Sequence, residues 1–265
     1  IGEERVLVLG AGAAGLGIIR QLRAAMQAEG AGDAPRIAAL DSRGLIVDDT
    51  RLDAYKQELA MPAARAADMG LVPGRRTLAD VVERFQPTVL IGSSGQANAF
   101  GEDVVRSMAS HCERPVILPL SNPTTQCEAQ PQDLYDWTDG RALVASGSPF
   151  ADVDHAGRRY RVGQGNNAFI FPGVGMSTLV AGAHAVGDGA FSIAARTLAQ
   201  SLTDAELAEG LLYPPISRLR EVSREVMVAI LGSTEDGGHG LDGADIEARL
   251  AASCWEPEYV EYLPG

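Results

Sequence analysis

Short apolar segments rich in Val, Ile and Leu recur along the first half of the chain, separated by longer segments with helical spacing. Polar residues do not alternate within these segments, which is typical of strands that are buried on both faces of a parallel sheet. Helices between successive strands predict βαβ units rather than hairpins. The predicted strands are Val6–Leu9, Ile37–Leu40, Thr88–Ile91, Val116–Leu120 and Ala142–Ala145.

The segments between these strands have the spacing of amphipathic helices. In one of them Leu78, Val81, Val82 and Phe85 lie three or four positions apart, which places them on one helix face. We therefore predict an α/β fold with a doubly wound, mostly parallel sheet over residues 1–171. The predicted helices of this part are Ala13–Ala28, Thr77–Phe85, Gly101–Ser110 and Gln132–Thr138.

The pattern changes near Pro172 to helices without intervening strands. Thr203 and Glu206 have the spacing of a capping box, and glycines among polar residues predict a loop at Gly232–Gly243. We expect residues 172–265 to form a C-terminal helical layer that packs on the sheet. Its predicted helices are Met176–Val186, Phe191–Leu202, Thr203–Glu209 and Ser217–Leu231.

The composition excludes several classes of function. The 265 residues include 35 Asp and Glu against 22 Lys and Arg, a net charge of −13 that disfavours nucleic-acid and anionic-lipid binding. No apolar run reaches the roughly 20 residues that span a bilayer. Cys112, Cys127 and Cys254 form no close pair, which argues against a disulfide framework or a zinc site and favours the cytoplasm.

A glycine-rich motif follows the first predicted strand and opens the first predicted helix. Gly10, Gly12 and Gly15 have the G-x-G-x-x-G spacing that lets a backbone approach a pyrophosphate at a helix N-terminus. Asp41 ends the second strand, where a carboxylate can accept hydrogen bonds from a ribose. Together these features predict a Rossmann-like NAD(P) site, and the alternative is a tight turn without a ligand.

Cations near Asp41 bear on the choice between NAD and NADP. Ser42, Arg43 and Lys56 could accommodate the 2′-phosphate of NADP, whereas Asp41 without them favours NAD. Lys56 could equally be a solvated helix charge. The chemistry of these residues alone leaves the two cofactors about even.

Polar runs follow three later strands, at Gly92–Gly95, Ser121–Thr124 and Ser146–Pro149. This is the sheet edge where open α/β proteins bind ligands, so we predict a crevice there. Asn166 and Asn167 then precede an apolar segment. A ligand could form hydrogen bonds with both amide side chains, and the alternative is that these amides only cap a loop. For Ser121–Thr124 the alternative to a binding site is a plain turn.

Residues for metal binding or nucleophilic catalysis are not evident. The four histidines are far apart in sequence, no G-x-S-x-G elbow is present, and the adjacent acids at positions 3–4 and 48–49 fit solvated termini or turns. Lys56 is the only lysine. We therefore predict no metal ligand and no catalytic acid or base in this chain.

Seven blocks, taken in order, resemble the C-terminal, cofactor-binding half of malic enzyme. The resemblance extends over nearly the whole chain. The blocks are Leu9–Ile18, Asp41–Ile46, Glu113–Ile117, Leu120–Thr124, Ala145–Phe150, Gly163–Gly173 and Leu212–Pro215.

The resemblance implies oxidative decarboxylation of L-malate to pyruvate and CO2, with reduction of NAD or NADP and a requirement for Mg2+ or Mn2+. It implies pyrophosphate contacts at Gly12, Ala13 and Ala14 and a ribose contact at Asp41. Lys56 falls where NADP-using members carry a lysine, which favours NADP modestly. The resemblance also implies that Ser93, Ser94 and Asn122 line the nicotinamide side and that Asn166 approaches the cofactor. It implies contacts with malate at Asn122 and Asn167.

The catalytic lysine, catalytic tyrosine and acidic metal ligands of that family belong to segments that would precede Ile1. We therefore expect an isolated cofactor domain that is inactive without the N-terminal half, and a homo-oligomer when complete. Two alternatives are a dehydrogenase of another family and a dinucleotide-sensing module without catalysis.

Overall fold

The computed structural model describes residues 2–30 and 36–253, so Cys254 lies outside the described residues. The strands are β1 (Val6–Leu9), β2 (Ile37–Asp41), β3 (Gly44–Leu45), β4 (Val89–Gly92), β5 (Val116–Pro119), β6 (Leu143–Ser146), β7 (Val153–His155), β8 (Arg158–Tyr160) and β9 (Gly163–Gln164). The helices are α1 (Ala13–Ala28), α2 (Ala54–Gln57), α3 (Ala63–Asp68), α4 (Leu78–Phe85), α5 (Glu102–His111), α6 (Pro131–Trp137), α7 (Phe171–Ala181), α8 (Asp188–Gln200), α9 (Asp204–Glu209), α10 (Leu219–Gly232) and α11 (Gly243–Ser253).

Seven strands form one sheet in the order β3-β2-β1-β4-β5-β6-β9. All neighbours are parallel except β2 and β3, which form an antiparallel pair. β7 and β8 form a separate hairpin. The prediction of a mostly parallel, doubly wound α/β sheet is confirmed, and all five predicted strands are present with each end shifted by at most one residue.

Both faces of the sheet are covered, as the uninterrupted apolar strands require. Leu7 and Leu9 of β1 pack in a cluster with α4, α5 and α6, whereas Val6 and Val8 pack in another cluster with α1. All four side chains are almost fully buried. Because successive strand residues point to opposite faces, this division shows why β1 has no polar position.

The order of the strands reverses at β1, which has β2 on one side and β4 on the other. In a doubly wound sheet, this switch point opens a crevice at the carboxyl ends of the strands. The loops after β1, β2, β4 and β5 therefore border one crevice. These loops contain most of the residues that the sequence assigns to a cofactor.

The chain divides into two compact units. One contains the described residues up to Asn166 together with Ser201–Ser217, and the other contains Asn167–Gln200 and the described residues from Arg218 onward. The segment with α9 therefore groups with the sheet, although the sequence assigns it to the C-terminal helices. The predicted boundary at residue 171, and the packing of residues 172–265 on the sheet, stay predictions.

The described residues of the second unit form helices joined by loops, and no strand occurs among them. α10 packs against α7 and α8, and a Cβ at Gly173 of α7 would lie only 2.7 Å from the backbone oxygen of Ser223. Met227 and Leu231 of α10 form a buried cluster with α11.

The predicted capping box is present, since Thr203 and Glu206 exchange hydrogen bonds at the start of α9 in the first unit.

One predicted helix is wrong in its limits. The sequence places a helix at Met176–Val186, but α7 begins at Phe171 and ends at Ala181. Pro172 lies in the first turn, where its missing N–H breaks no helical hydrogen bond. Gly182 ends the helix in the left-handed conformation, with φ of 69°. The strands β3, β7, β8 and β9 are not predicted, because segments of two or three residues carry no readable periodicity.

Candidate functional site

The glycine-rich turn after β1 is built so tightly that side chains would collide there. Gly10 has φ of +124°, and a Cβ at this position would lie 2.5 Å from the backbone oxygen of Ser93. A Cβ at Gly15 would lie 1.8 Å from the backbone oxygen of Gly10. The two glycines therefore let α1 start directly against the end of β1.

The N-terminus of α1 is open on the side away from these contacts. Gly12 is the N-cap residue and, with Ala13 and Ala14, is exposed. No atom lies within 4 Å of a Cβ built at Gly12. The first turn contains no acidic residue, so the free N–H groups of this 16-residue helix face no competing carboxylate from the turn itself. Such an end suits an anion such as a pyrophosphate.

Ser93 contributes a buried hydroxyl beside this turn. Its Oγ would lie 2.6 Å from a Cβ at Gly10 and 3.2 Å from one at Gly15. Within the described residues, this Oγ is buried and has no hydrogen-bond partner. An unpaired buried hydroxyl is costly and marks a place where a partner is missing. The glycine turn and the Ser93 hydroxyl together fit a bound dinucleotide.

Asp41 and Lys56 form a mostly buried ion pair at the end of β2. The Nζ of Lys56 donates to Oδ2 of Asp41 at 2.6 Å, and the two side chains are 12% and 11% exposed. The backbone N–H of Arg43 donates to Oδ1 at 2.8 Å. Lys56 is therefore not a solvated helix charge, and the structure brings it to the predicted ribose position. Ser42 lies exposed in the adjoining turn.

The pair shifts the pKa values of both groups. Burial raises the pKa of Asp41, but the hydrogen bonds from Lys56 and from the Arg43 backbone outweigh burial, so the pKa lies below its ordinary value. The hydrogen bond to Asp41 holds the pKa of Lys56 above its ordinary value. Both groups are therefore charged at neutral pH. The carboxylate still has acceptor capacity for a ribose hydroxyl, because each oxygen can accept two hydrogen bonds.

A cavity of about 310 Å³ adjoins Asp41. Apolar side chains provide part of its wall, as a flat aromatic base requires. Because Asp41 at the predicted ribose position also lines this cavity, the cavity could hold the adenine of the same dinucleotide. Its lining residues are Asp41, Arg43, Leu45, Ile46, Thr50, Leu52, Pro73, Gly74, Arg76 and Thr77.

The three polar runs after β4, β5 and β6 are brought together, as predicted. The backbone N–H of Gly95 donates to Ser121 Oγ at 2.9 Å, and Ser148 Oγ donates to Oδ1 of Asn122 at 2.6 Å. Asn122 is exposed, so its amide can still face the crevice. The hydroxyl of Ser94 bonds to a residue outside the three runs, since it donates to Glu128 at 2.8 Å.

Glu128 is the residue that the sequence analysis missed. It is fully buried and accepts hydrogen bonds from Ser94 and Ser121, which lie in two different loops. Ser94 is 34 positions away in sequence, so no local spacing links the two. The only signal is an acidic residue between Cys127 and Ala129 in a short segment that is otherwise buried and apolar.

Asn166 and Asn167 fall in different compact units. The N–H of Asn166 donates to the carbonyl oxygen of Gln164, and that of Gly165 donates to the carbonyl oxygen of Ser146, so Asn166 follows β9 and lies near the carboxyl end of β6. Asn167 begins a short 3-10 helix, Asn167–Phe169. The pairing of Asn167 with Asn122 around a substrate stays a prediction.

The described residues provide no cage for a metal. Across residues 2–30 and 36–253, no group of three or more His, Cys, Asp or Glu side chains could hold a metal ion. The single lysine of the chain is already paired with Asp41. In the same part of the chain, no helix combines the length and the apolar character needed to cross a bilayer.

The chain is similar in sequence to malic enzymes. Residues 1–234 match the family model described as malic enzyme, NAD binding domain. The chain is 43% identical to the NAD-dependent malic enzyme of Aeromonas salmonicida, with 99% of this chain and 47% of that protein covered. It is 40% identical to the NAD-dependent malic enzyme of Pseudomonas aeruginosa, with 99% and 48% covered. The chain thus spans about half the length of the curated relatives it matches.

A solved structure supports the fold independently. The crystal structure of Entamoeba histolytica malic enzyme superposes with a TM-score of 0.64 at 19% identity, over 96% of this chain and 49% of that chain. At this identity the likeness concerns the fold. Combined with the family match over most of the sequence, it completes the assignment. The chain belongs to the malic enzyme family and corresponds to its NAD-binding domain.

Proposed function

We propose that this chain binds the nicotinamide dinucleotide for the oxidative decarboxylation of L-malate to pyruvate and CO2. The observation that carries this proposal is the joined geometry of the open α1 N-terminus at Gly12 and the Asp41 carboxylate. These two groups face the pyrophosphate and the adenosine ribose of one dinucleotide. The relatives are NAD-dependent malic enzymes, which supports the malate reaction.

Each part of the chain has its own task in this proposal. The N–H groups at Gly12, Ala13 and Ala14 donate to the pyrophosphate, and Asp41 accepts from the ribose hydroxyls. The loops after β4 and β5, with Ser93, Ser94 and Asn122, orient the nicotinamide half, and Asn166 approaches it from the end of β6. When bound, the nicotinamide supplies the hydride acceptor.

We infer that the remaining chemistry comes from outside this chain. Neither a metal cage nor a free lysine exists among the described residues. Mg2+ or Mn2+ ligands and the proton-transfer groups would then belong to the part of the relatives that this chain does not match. The chain alone should bind cofactor without turning over L-malate. Malate contacts at Asn122 and Asn167, homo-oligomerisation and a cytoplasmic location stay predictions.

The test is a calorimetric titration of the purified chain with NAD and with NADP, with and without L-malate and Mg2+, while reduced nicotinamide is followed by absorbance. We expect binding without turnover, and turnover once the unmatched half of the Aeromonas salmonicida enzyme is added. Absence of binding to either dinucleotide would contradict the proposal. Turnover by the chain alone would indicate another dehydrogenase, and binding that no added half converts to turnover would indicate a sensing module.

NAD is supported by the family, and we propose that Lys56 also lets the chain accept NADP. An unpaired Asp41 would repel a 2′-phosphate, and Lys56 cancels its charge at 2.6 Å. Lys56→Ala should weaken NADP binding about tenfold, which corresponds to roughly 1.4 kcal/mol, and NAD binding less than about threefold. Lys56→Arg, which keeps the charge, is the matched control. Equal losses for both dinucleotides in Lys56→Ala would exclude this role.

A further inference from the structure

Glu128 lies beneath the end of β4 rather than in the crevice. Glu128 is fully buried, and a Cβ at Gly92 would lie 2.5 Å from its carboxyl carbon. Gly92 therefore leaves the space through which this side chain reaches the loops. A buried carboxylate at the end of a strand needs polar partners, because an unpaired charge is very costly to bury.

Four donors from two loops supply those partners. Oε1 accepts from the backbone N–H of Ser94 at 2.8 Å, from Ser94 Oγ at 2.8 Å and from Ser121 Oγ at 2.5 Å. Oε2 accepts from the backbone N–H of Ser121 at 3.3 Å. A carboxylate is the side chain for this place because it only accepts, whereas an amide would point an NH2 group at other donors.

The bonds continue towards the crevice on both loops. Ser121 Oγ also accepts from the backbone N–H of Gly95, and Ser94 Oγ accepts from that of Gln96 at 3.1 Å. One carboxylate thus fixes the course of the loop after β4 and of the loop after β5. Asn122 follows Ser121 directly and is exposed.

The position of these loops defines which part of the cofactor they meet. β4 lies beside β1 on the side opposite to β2, and β5 lies next to β4. A dinucleotide with its pyrophosphate at Gly12 and its adenosine ribose at Asp41 must extend its nicotinamide half over the ends of β4 and β5. The adenosine half lies on the other side of the switch point, away from Glu128.

We propose that Glu128 is a positioning residue that holds the loops after β4 and β5 in the geometry that receives the nicotinamide half. It acts through Ser94 and Ser121 and does not itself contact the cofactor. This inference rests on the proposed function. Without the carboxylate, the loops must be ordered when the ligand binds, and that ordering reduces affinity for the nicotinamide half alone.

The test compares NAD with ADP-ribose, which lacks the nicotinamide ring, in calorimetric titrations of the whole chain. Glu128→Gln should weaken NAD binding about tenfold and change ADP-ribose binding less than about twofold. Ser121→Ala removes one bond to Glu128 and leaves the carboxylate in place. It should produce a smaller loss with the same preference for NAD, so the inference can be tested even if Glu128→Gln folds poorly.

The outcomes separate this inference from the function on which it rests. Wild-type chain that binds neither ligand would overturn the proposed function, and the inference with it. If the wild-type chain binds both ligands and the variants lose affinity for both equally or for neither, the inference alone would be overturned. A buried acid with a purely structural role would lower stability and weaken both ligands in parallel, whereas a positioning role changes the ratio of the two affinities.

Discussion

Gly12 and Gly17 differ in their relation to the proposed pyrophosphate although their surroundings are alike. A Cβ at either position would meet no atom within 4 Å, and both residues are exposed on α1. Neither has the positive φ that restricts Gly10. A side chain at Gly12 or at Gly17 should therefore leave the fold intact, and only the one at Gly12 would stand where the helix N-terminus faces the anion.

Gly12→Asp should abolish dinucleotide binding without loss of stability. Asp is a favoured N-cap residue, and its charge suits the positive end of a helix, so the thermal midpoint should stay or rise. The same charge would repel a pyrophosphate at contact distance, and we expect a loss of at least about a hundredfold in calorimetric affinity. Gly17→Asp adds the same charge five positions further along the chain and should cost about threefold or less. Similar losses in both variants would argue against a pyrophosphate at Gly12.

The sequence predicts residues whose role depends on neighbours in the chain. The spacing of Gly10, Gly12 and Gly15 is local, and so is the position of Asp41 at the end of its strand. Glu128 is not predicted, because its meaning depends on Ser94, which is 34 positions away. The sequence leaves the pairing of Lys56 with Asp41 undecided for the same reason, because this pair joins α2 to the end of β2 across 15 positions.

At the scale of elements, helix ends are predictable where side chains cap them. Thr203 and Glu206 form the predicted capping box, and Thr203 Oγ1 accepts from the backbone N–H of Glu206 at 3.2 Å. The start of α7 is not predicted, because Pro172 can interrupt a helix or occupy its first turn. The grouping of α9 with the sheet leaves no trace in periodicity, which reports a helix but not its partner.

Thr203→Ala should destabilise the first unit through α9. The substitution leaves N–H groups at the start of a six-residue helix without their acceptor, which costs about 1 kcal/mol for typical N-caps. Urea unfolding followed by circular dichroism should therefore show a lower midpoint with an unchanged slope. Thr203→Ser keeps the accepting oxygen and should stay close to the wild type. A midpoint for Thr203→Ser as low as that of Thr203→Ala would show that lost methyl packing, rather than the cap, is responsible.

At the scale of the whole molecule, the acidic composition acts through carboxylates that are paired in the fold. The pKa values of Asp49, Asp80 and Glu221 lie below their ordinary values, in each case chiefly because a side chain donates a hydrogen bond to the carboxylate. A carboxyl with a lowered pKa stabilises the folded state above its unfolded pKa of roughly 4 and loses this contribution as pH falls through the folded pKa. The thermal midpoint should therefore drop as pH falls from about 5 to about 3.

Asp49 allows this acid sensitivity to be assigned to one pair. Arg76 donates to both of its carboxylate oxygens, at 2.9 and 2.6 Å, and the arginine side chain is only 12% exposed. Asp49→Asn removes the charge that holds this pair, so it should lower the thermal midpoint by a few degrees at pH 7. As the pH falls through the lowered pKa of the wild-type carboxyl, that group is protonated as well, so the gap between the two unfolding curves should shrink in acid. Asp68→Asn removes the same charge at an exposed position at the end of α3, away from this pair, and as the matched control it should change the thermal midpoint little at pH 7. A constant gap between wild type and Asp49→Asn from pH 7 to pH 3 would show that the ion pair is not what the acid removes.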